Sequence, residues 1–234
     1  NAHIAGRDLG WMALAGASLG LSQACYFAAI AQVGVAIATL VTICATPVLV
    51  SLLSATLLHE RLTRYTAVAL AGALLGTEML VGAGQSAVGA QTGAAASGIL
   101  LALGAAVCFT TFILASRVLA PRYHPLLSIT VAVSAGALLL LAIEAASGAL
   151  TLRYPWPAWS LLLYLGLVPT ALGYGLFFRG MQHTTAAQAS VGSLVEPLTS
   201  TALALLIFGE RLGPLGLAGA GLLIGAVALL IRHS

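Results

Sequence analysis

The sequence predicts an all-α integral membrane protein with about eight helices, arranged as an inverted repeat of five-helix units. Three observations predict it. Of the 234 residues, 60% are hydrophobic and only 6% charged, with a mean hydropathy of +1.06. A soluble domain carries about a quarter charged residues, so most of this surface must face lipid. Windows near the roughly 20 apolar residues that a spanning helix needs recur along the chain, separated by short connections. The runs of Ala and Leu lack the alternation of a lipid-facing barrel strand, and helices are the other structure whose backbone is satisfied inside a bilayer. Finally, the chain nearly repeats itself after 150 positions, as set out below.

The expected helices follow in order. Residues 9–31 carry Gly16, Gly20, Gln23, Cys25 and Tyr26, and residues 35–58 carry Thr39, Thr42, Thr46 and Pro47. Residues 65–83 hold Gly72, Gly76 and Glu78; residues 97–118 hold Cys108; residues 126–147 hold Glu144. Tyr154, Trp156 and Trp159 open the sixth helix, 159–178, and read as an interfacial aromatic belt. The seventh, 187–208, contains Ser190, Ser193 and the pair Glu196-Pro197, and the eighth, 214–231, contains Gly221 and Gly225. The glycine pairs four apart are expected to let helix backbones approach closely.

All nine basic residues are Arg. With eight spans, Arg7, Arg61, Arg64, Arg117, Arg122, Arg179 and Arg232 fall on one side, and Arg153 and Arg211 on the other. The positive-inside rule makes the first side, and both ends of this chain, cytoplasmic. The net charge of +3 therefore reports orientation, and no clustered basic face points to nucleic acid. Cys25, Cys44 and Cys108 lie inside helices at no metal-like spacing and read as packing residues. His59, His124 and His183 are dispersed in loops, so neither a metal site nor another cofactor is expected.

Shifting the chain by 150 positions places Pro47 on Pro197 and Glu60-Arg61-Leu62 on Glu210-Arg211-Leu212. Gly16, Phe27 and Gln32 fall on Gly166, Phe177 and Gln182; after a slip of three, Leu70-Ala71-Gly72-Ala73 meets Leu217-Ala218-Gly219-Ala220. By the arginine count the helices carrying Pro47 and Pro197 run in opposite directions, and inverted repeats are a common plan of secondary transporters. Residues 1–83 then form the last three helices of a first repeat, and residues 97–232 a complete second repeat of five. Two further helices are expected before Asn1; an intact eight-helix protein would leave the repeat lopsided.

The segment from Tyr174 to Ile231 resembles the EamA family of the drug/metabolite transporter superfamily in Glu196-Pro197, the apolar run Ala202–Phe208, Gly209-Glu210-Arg211-Leu212 and a glycine-rich last helix. Tyr26 to Gly76 follows the same pattern, with His59 where the family usually has Gly. The resemblance implies a ten-helix carrier of two inverted five-helix repeats that moves small metabolites, often amino acids or drugs, outward. It also implies a central cavity lined by the first, third, fourth, sixth, eighth and ninth helices. The first is missing here, so that cavity would have an open wall.

The candidate substrate-cavity residues are Gln23, Tyr26, Thr42, Thr46, Tyr174, Ser190, Ser193 and Glu196. Glu196 falls about midway along its helix, where a carboxylate costs about 2.5–3.5 kcal/mol on insertion scales and normally faces a bundle interior or a watery cavity. It contacts a substrate amine, carries a proton, or repairs the backbone that Pro197 interrupts. Thr46 is its repeat mate, and the stripes Thr39/Thr42/Thr46 and Ser190/Ser193/Glu196 suggest two kinked helices lining one cavity, although single hydroxyls commonly bond their own backbone. Glu60 and Glu210, at helix ends, read as fold signatures that satisfy nearby backbone or Arg donors. No Lys or Arg falls at mid-membrane, which disfavours phosphorylated substrates and favours a neutral, zwitterionic or cationic one, with proton coupling open. The expected function is export of small metabolites such as amino acids across the bacterial inner membrane by alternating access. The alternatives are a channel-like facilitator and an intramembrane enzyme; the latter lacks a His or Asp near the central carboxylate, and no enzymatic activity is expected.

Overall fold

The computed structural model describes residues 6–60, 63–83, 94–148, 154–197, 199, 202 and 213–232. They are helical, and no strand occurs among them. The helices are α1 (Gly6–Val35), α2 (Ile37–Leu57), α3 (Arg64–Ala83), α4 (Ala94–Leu119), α5 (Pro125–Ser147), α6 (Trp156–Gly180), α7 (Ala186–Gly192) and α8 (Pro214–Arg232). Five of them, α1, α2, α4, α5 and α6, are long and apolar enough by themselves to cross a membrane. The second copy of the Glu-Arg-Leu signature, Arg61-Leu62 of the first, Arg153 and, of the expected span 187–208, residues 198, 200, 201 and 203–208 lie outside the described residues.

Breaks between helices have local causes. Gly34, near the end of α1, adopts φ 81° and ψ 162°, open to residues without a Cβ, and breaks the helix where α1 gives way to α2. The Tyr26 and Thr39 hydroxyls then share a 2.6 Å hydrogen bond across thirteen positions, which a straight helix would hold about 20 Å apart. The chain therefore folds back at Gly34 as a helical hairpin. Pro125 opens α5, with the His124 imidazole Nδ1 accepting from the Leu126 amide as N-cap, and Gly148 closes it in the left-handed region. In α6, Pro169 sits in a π-helical stretch, Gly166–Gly173. A proline nitrogen cannot donate to the carbonyl four residues back, here that of Leu165. The Thr170 hydroxyl donates to that carbonyl at 2.8 Å, so the interruption leaves no orphan acceptor.

The chain divides into two compact units, Asn1–Ala24 with Thr111–Thr184 and Cys25–Thr110 with Thr185–Ser234. In the first, the two glycines of α1 seat against α5. A Cβ at Gly16 would overlap the Ala132 carbonyl, and one at Gly20 would press on Gly136. Phe112, Tyr174, Phe177 and Phe178 form an aromatic cluster between α4 and α6, with centroids 5.4–6.5 Å apart. Asp8, buried at the start of α1, accepts from Arg122 Nη1 at 2.8 Å and from the Tyr123 hydroxyl at 2.9 Å. Arg117 donates to the Met181 carbonyl (3.2 Å) and Gln182 to the Ala120 carbonyl (3.0 Å), tying the end of α6 to that of α4.

In the second unit, Gly98 of α4 lies against Val33, and the Ser97 hydroxyl donates to Gln32 at 2.6 Å. Helices α3 and α8 pack antiparallel: Gly72 approaches Ala226, while Gly76 approaches Gly219 and Leu223. Ala69, Ala73, Leu223 and Ala226 join Val191 of α7 and Leu194 just beyond it in one core. The pair Gly221/Gly225, expected to serve helix packing, instead meets open space; Gly219 makes the close approach. A one-turn apolar spacing marks both alternatives, and only the facing helix decides between them.

Candidate functional site

The predicted site residues divide between the units. Gln23 and Tyr174 belong to the first; Tyr26, Thr42, Thr46, Ser190, Ser193 and Glu196 belong to the second. Gln23 is exposed, and Tyr174 stands edge-on to Phe112 and Phe177.

Within the second unit the hairpin at Gly34 brings Tyr26 to Thr39, and Thr42 donates across to the Ala102 carbonyl of α4 at 3.2 Å. These hydroxyls link helices and remain half-buried. Thr46 differs: it is 5% exposed and donates to its own helix, at the Thr42 carbonyl, 2.8 Å. Ser190, 1% exposed, donates to Ala187 at 2.8 Å, and Ser193 to Ala189 at 3.1 Å. Such back-bonding is the ordinary use of a hydroxyl in an apolar helix.

Helix α7 therefore has two faces. Ala187, Ser190, Val191 and Leu194 are buried, the last two against α3 and α8, whereas Gly192, Glu196 and Thr199 are exposed and Ser193 lies at the edge. The structure places Ser190 on the packed face and Glu196 on the exposed one. The backbone turns at Ser193–Leu194, before Pro197. Pro197 leaves the Ser193 carbonyl without its usual donor, and the Glu196 amide takes that carbonyl at 3.0 Å. The main chain thus supplies that carbonyl with a donor.

The start of α7 is capped with unusual completeness. Thr185 accepts from the Gln188 amide (3.2 Å) while Gln188 accepts from the Thr185 amide (3.0 Å), a capping box. The Ala186 amide donates to both carboxylate oxygens of Glu60, at 3.1 and 3.3 Å. Glu60 was expected to satisfy nearby backbone; the backbone proves to be that of a helix 126 positions away. The residue before Glu60, His59, is the sole non-glycine residue with positive φ (52°) among the described residues. Sequence reasoning missed Asp8; its signal was an acid in the first turn of an otherwise apolar helix. No cluster of three metal-ligating side chains occurs among the described residues. A surface cavity of about 950 Å³ in the first unit, between Arg122, His124 and Arg179, holds none of the predicted site residues.

The sequence model of the EamA-like transporter family matches residues 3–82 and 96–232. The chain belongs to the EamA-like transporter family. Among its relatives, the uncharacterized transporter YwfM of Bacillus subtilis (strain 168) is 29% identical over 214 residues, covering 90% of this chain and 69% of YwfM. The putative permease-like protein YdzE of the same organism is 31% identical over 71 residues, 30% of this chain and 91% of YdzE. A solved crystal structure superposes with a TM-score of 0.76 over 94% of this chain and 73% of its own, at 24% identity, which establishes the fold. This EamA protein is thus a multi-pass membrane transporter, and both its family and its relatives' names point away from enzymatic activity.

Proposed function

We propose that this EamA protein is a secondary carrier of the bacterial inner membrane that exports small metabolites such as amino acids, by alternating access between two inverted repeats. The observation that carries the reading is Glu196: a carboxylate on the exposed face of α7, beside a backbone break already repaired by its own amide. A carboxylate at such depth favours a partner with an ammonium group or an exchangeable proton, so the substrate is neutral, zwitterionic or cationic. The antiparallel packing of α3 and α8, which are repeat mates in sequence, supports the inverted arrangement. The proposed boundaries are residues 1–83 for the end of the first repeat and 97–232 for the second.

Flux of radiolabelled amino acids through vesicles holding the full-length protein tests this directly. A carrier gives saturable flux with a preference among the panel; flux linear in concentration marks a channel-like facilitator and removes alternating access. Orientation is tested separately. A reporter active only in the cytoplasm is expected to work when fused after Ser234 and to fail within 209–213; the opposite pattern overturns the proposed topology.

A further inference from the structure

The capping of α7 by Glu60 joins two segments that the repeat makes equivalent. Helix α2, which leads to Glu60, carries Pro47; the chain of α7 leads to Pro197. A helix start leaves its first amides without partners and carries a partial positive charge. Here the capping box satisfies the amides of Thr185 and Gln188, and the Ala186 amide is left to Glu60. A carboxylate suits that position, because it is an acceptor and carries the charge the helix end attracts. Helix α7 is only seven residues long before the turn at Ser193–Leu194, and Glu196 lies just beyond that turn. So short a segment has little intrinsic helical stability. Its orientation rests on what holds its start and on the packing of Val191 and Leu194.

We propose that Glu60 is a positioning residue for transport: its carboxylate fixes the first turn of α7 and thereby the direction in which Glu196 is presented. This inference rests on the carrier reading above. Glu60 touches the start of the helix, ten positions before Glu196, so its loss acts on turnover through the helix rather than by removing a group that binds substrate.

The test compares Glu60→Gln, Glu60→Asp and Glu60→Ala in full-length protein reconstituted in vesicles, following flux and backbone hydrogen exchange together. In Glu60→Ala, amides 185–189 are expected to exchange at least tenfold faster, with those of α3 and α8 unchanged, and kcat to fall about tenfold with KM within twofold. Glu60→Gln, which keeps an acceptor oxygen without the charge, is expected to fall between Ala and wild type. Glu60→Asp is expected to recover most of the flux. Wild-type exchange at 185–189 in Glu60→Ala overturns the cap. Faster exchange there with wild-type kcat overturns the positioning role. Loss of exchange protection throughout the protein, with flux falling in step with folded yield, makes Glu60 a general stability residue and also overturns it. Linear, unsaturable flux in the wild type sinks the carrier reading and the positioning role with it, whereas the exchange comparison still decides the cap.

Discussion

The two proline segments, α2 around Pro47 and the chain of α7 around Pro197, stand 150 positions apart in the sequence and are built differently. Around Pro47 the helix is continuous from Ile37 to Leu57, and the residue before the proline is a buried threonine whose hydroxyl bonds its own backbone. Around Pro197 the helix turns at Ser193–Leu194, and the residue before the proline is an exposed glutamate. The same residue type is absorbed within a continuous helix in one segment and follows an exposed carboxylate beyond a turn in the other. On the proposed repeat, the side chain before each proline is what would separate a packing helix from one that presents a carboxylate to a ligand.

The largest expected effect breaks this comparison at Glu196. Glu196→Gln keeps shape and hydrogen bonding but removes the charge, and flux per folded molecule is expected to fall tenfold or more with the melting temperature unchanged. Thr46→Val, the equivalent change in the other copy, is expected to leave flux within twofold. Wild-type flux and unchanged pH dependence in Glu196→Gln would take the carboxylate out of the mechanism and make the two kinks alike.

What the sequence could say of this contrast is instructive. The spans were legible because uninterrupted apolar runs end at Arg, Pro and Gly: residues 126–147 are expected and Pro125–Ser147 observed, and residues 35–58 against Ile37–Leu57. Glu196 stood out in the sequence because a carboxylate in an apolar run has few reasons to be there, and the structure shows it exposed beyond the turn at Ser193–Leu194. The facing of Ser190 was not legible. Positions 190, 193 and 196 spread over about 120° of a regular helix, and only the packing of Val191 and Leu194 shows which edge is covered. The partner of Glu60 was equally hidden, since a cap donated across 126 positions leaves no local pattern.

A second test sharpens the contrast through the prolines themselves. Pro197→Ala restores an amide four residues beyond the Ser193 carbonyl, in competition with that of Glu196, which favours a straight helix and turns Glu196 away from its present direction. Flux is expected to fall several-fold while thermal stability holds or rises. Pro47→Ala acts in a helix that is already continuous, so flux is expected to stay within twofold. Equal losses in the two variants would mean that both kinks act in transport.

The smallest expected effect lies where α2 ends. A shift of 150 positions aligns His59 with Gly209, so the sequence differs there between the two segments. His59 holds φ 52°, a conformation that costs an L-residue about 1–2 kcal/mol and a glycine almost nothing. Its side chain is exposed, so its removal sacrifices little packing. Against this, glycine widens the unfolded ensemble, which offsets up to about 1 kcal/mol of the gain. The balance predicts that His59→Gly raises stability by about 0.5–1 kcal/mol, read as a small upward shift in melting temperature, with flux unchanged because Glu60 keeps its approach to Ala186. A loss of stability would show that the imidazole contributes more than its backbone conformation costs. A loss of flux with gained stability would show that strain at His59 helps aim Glu60.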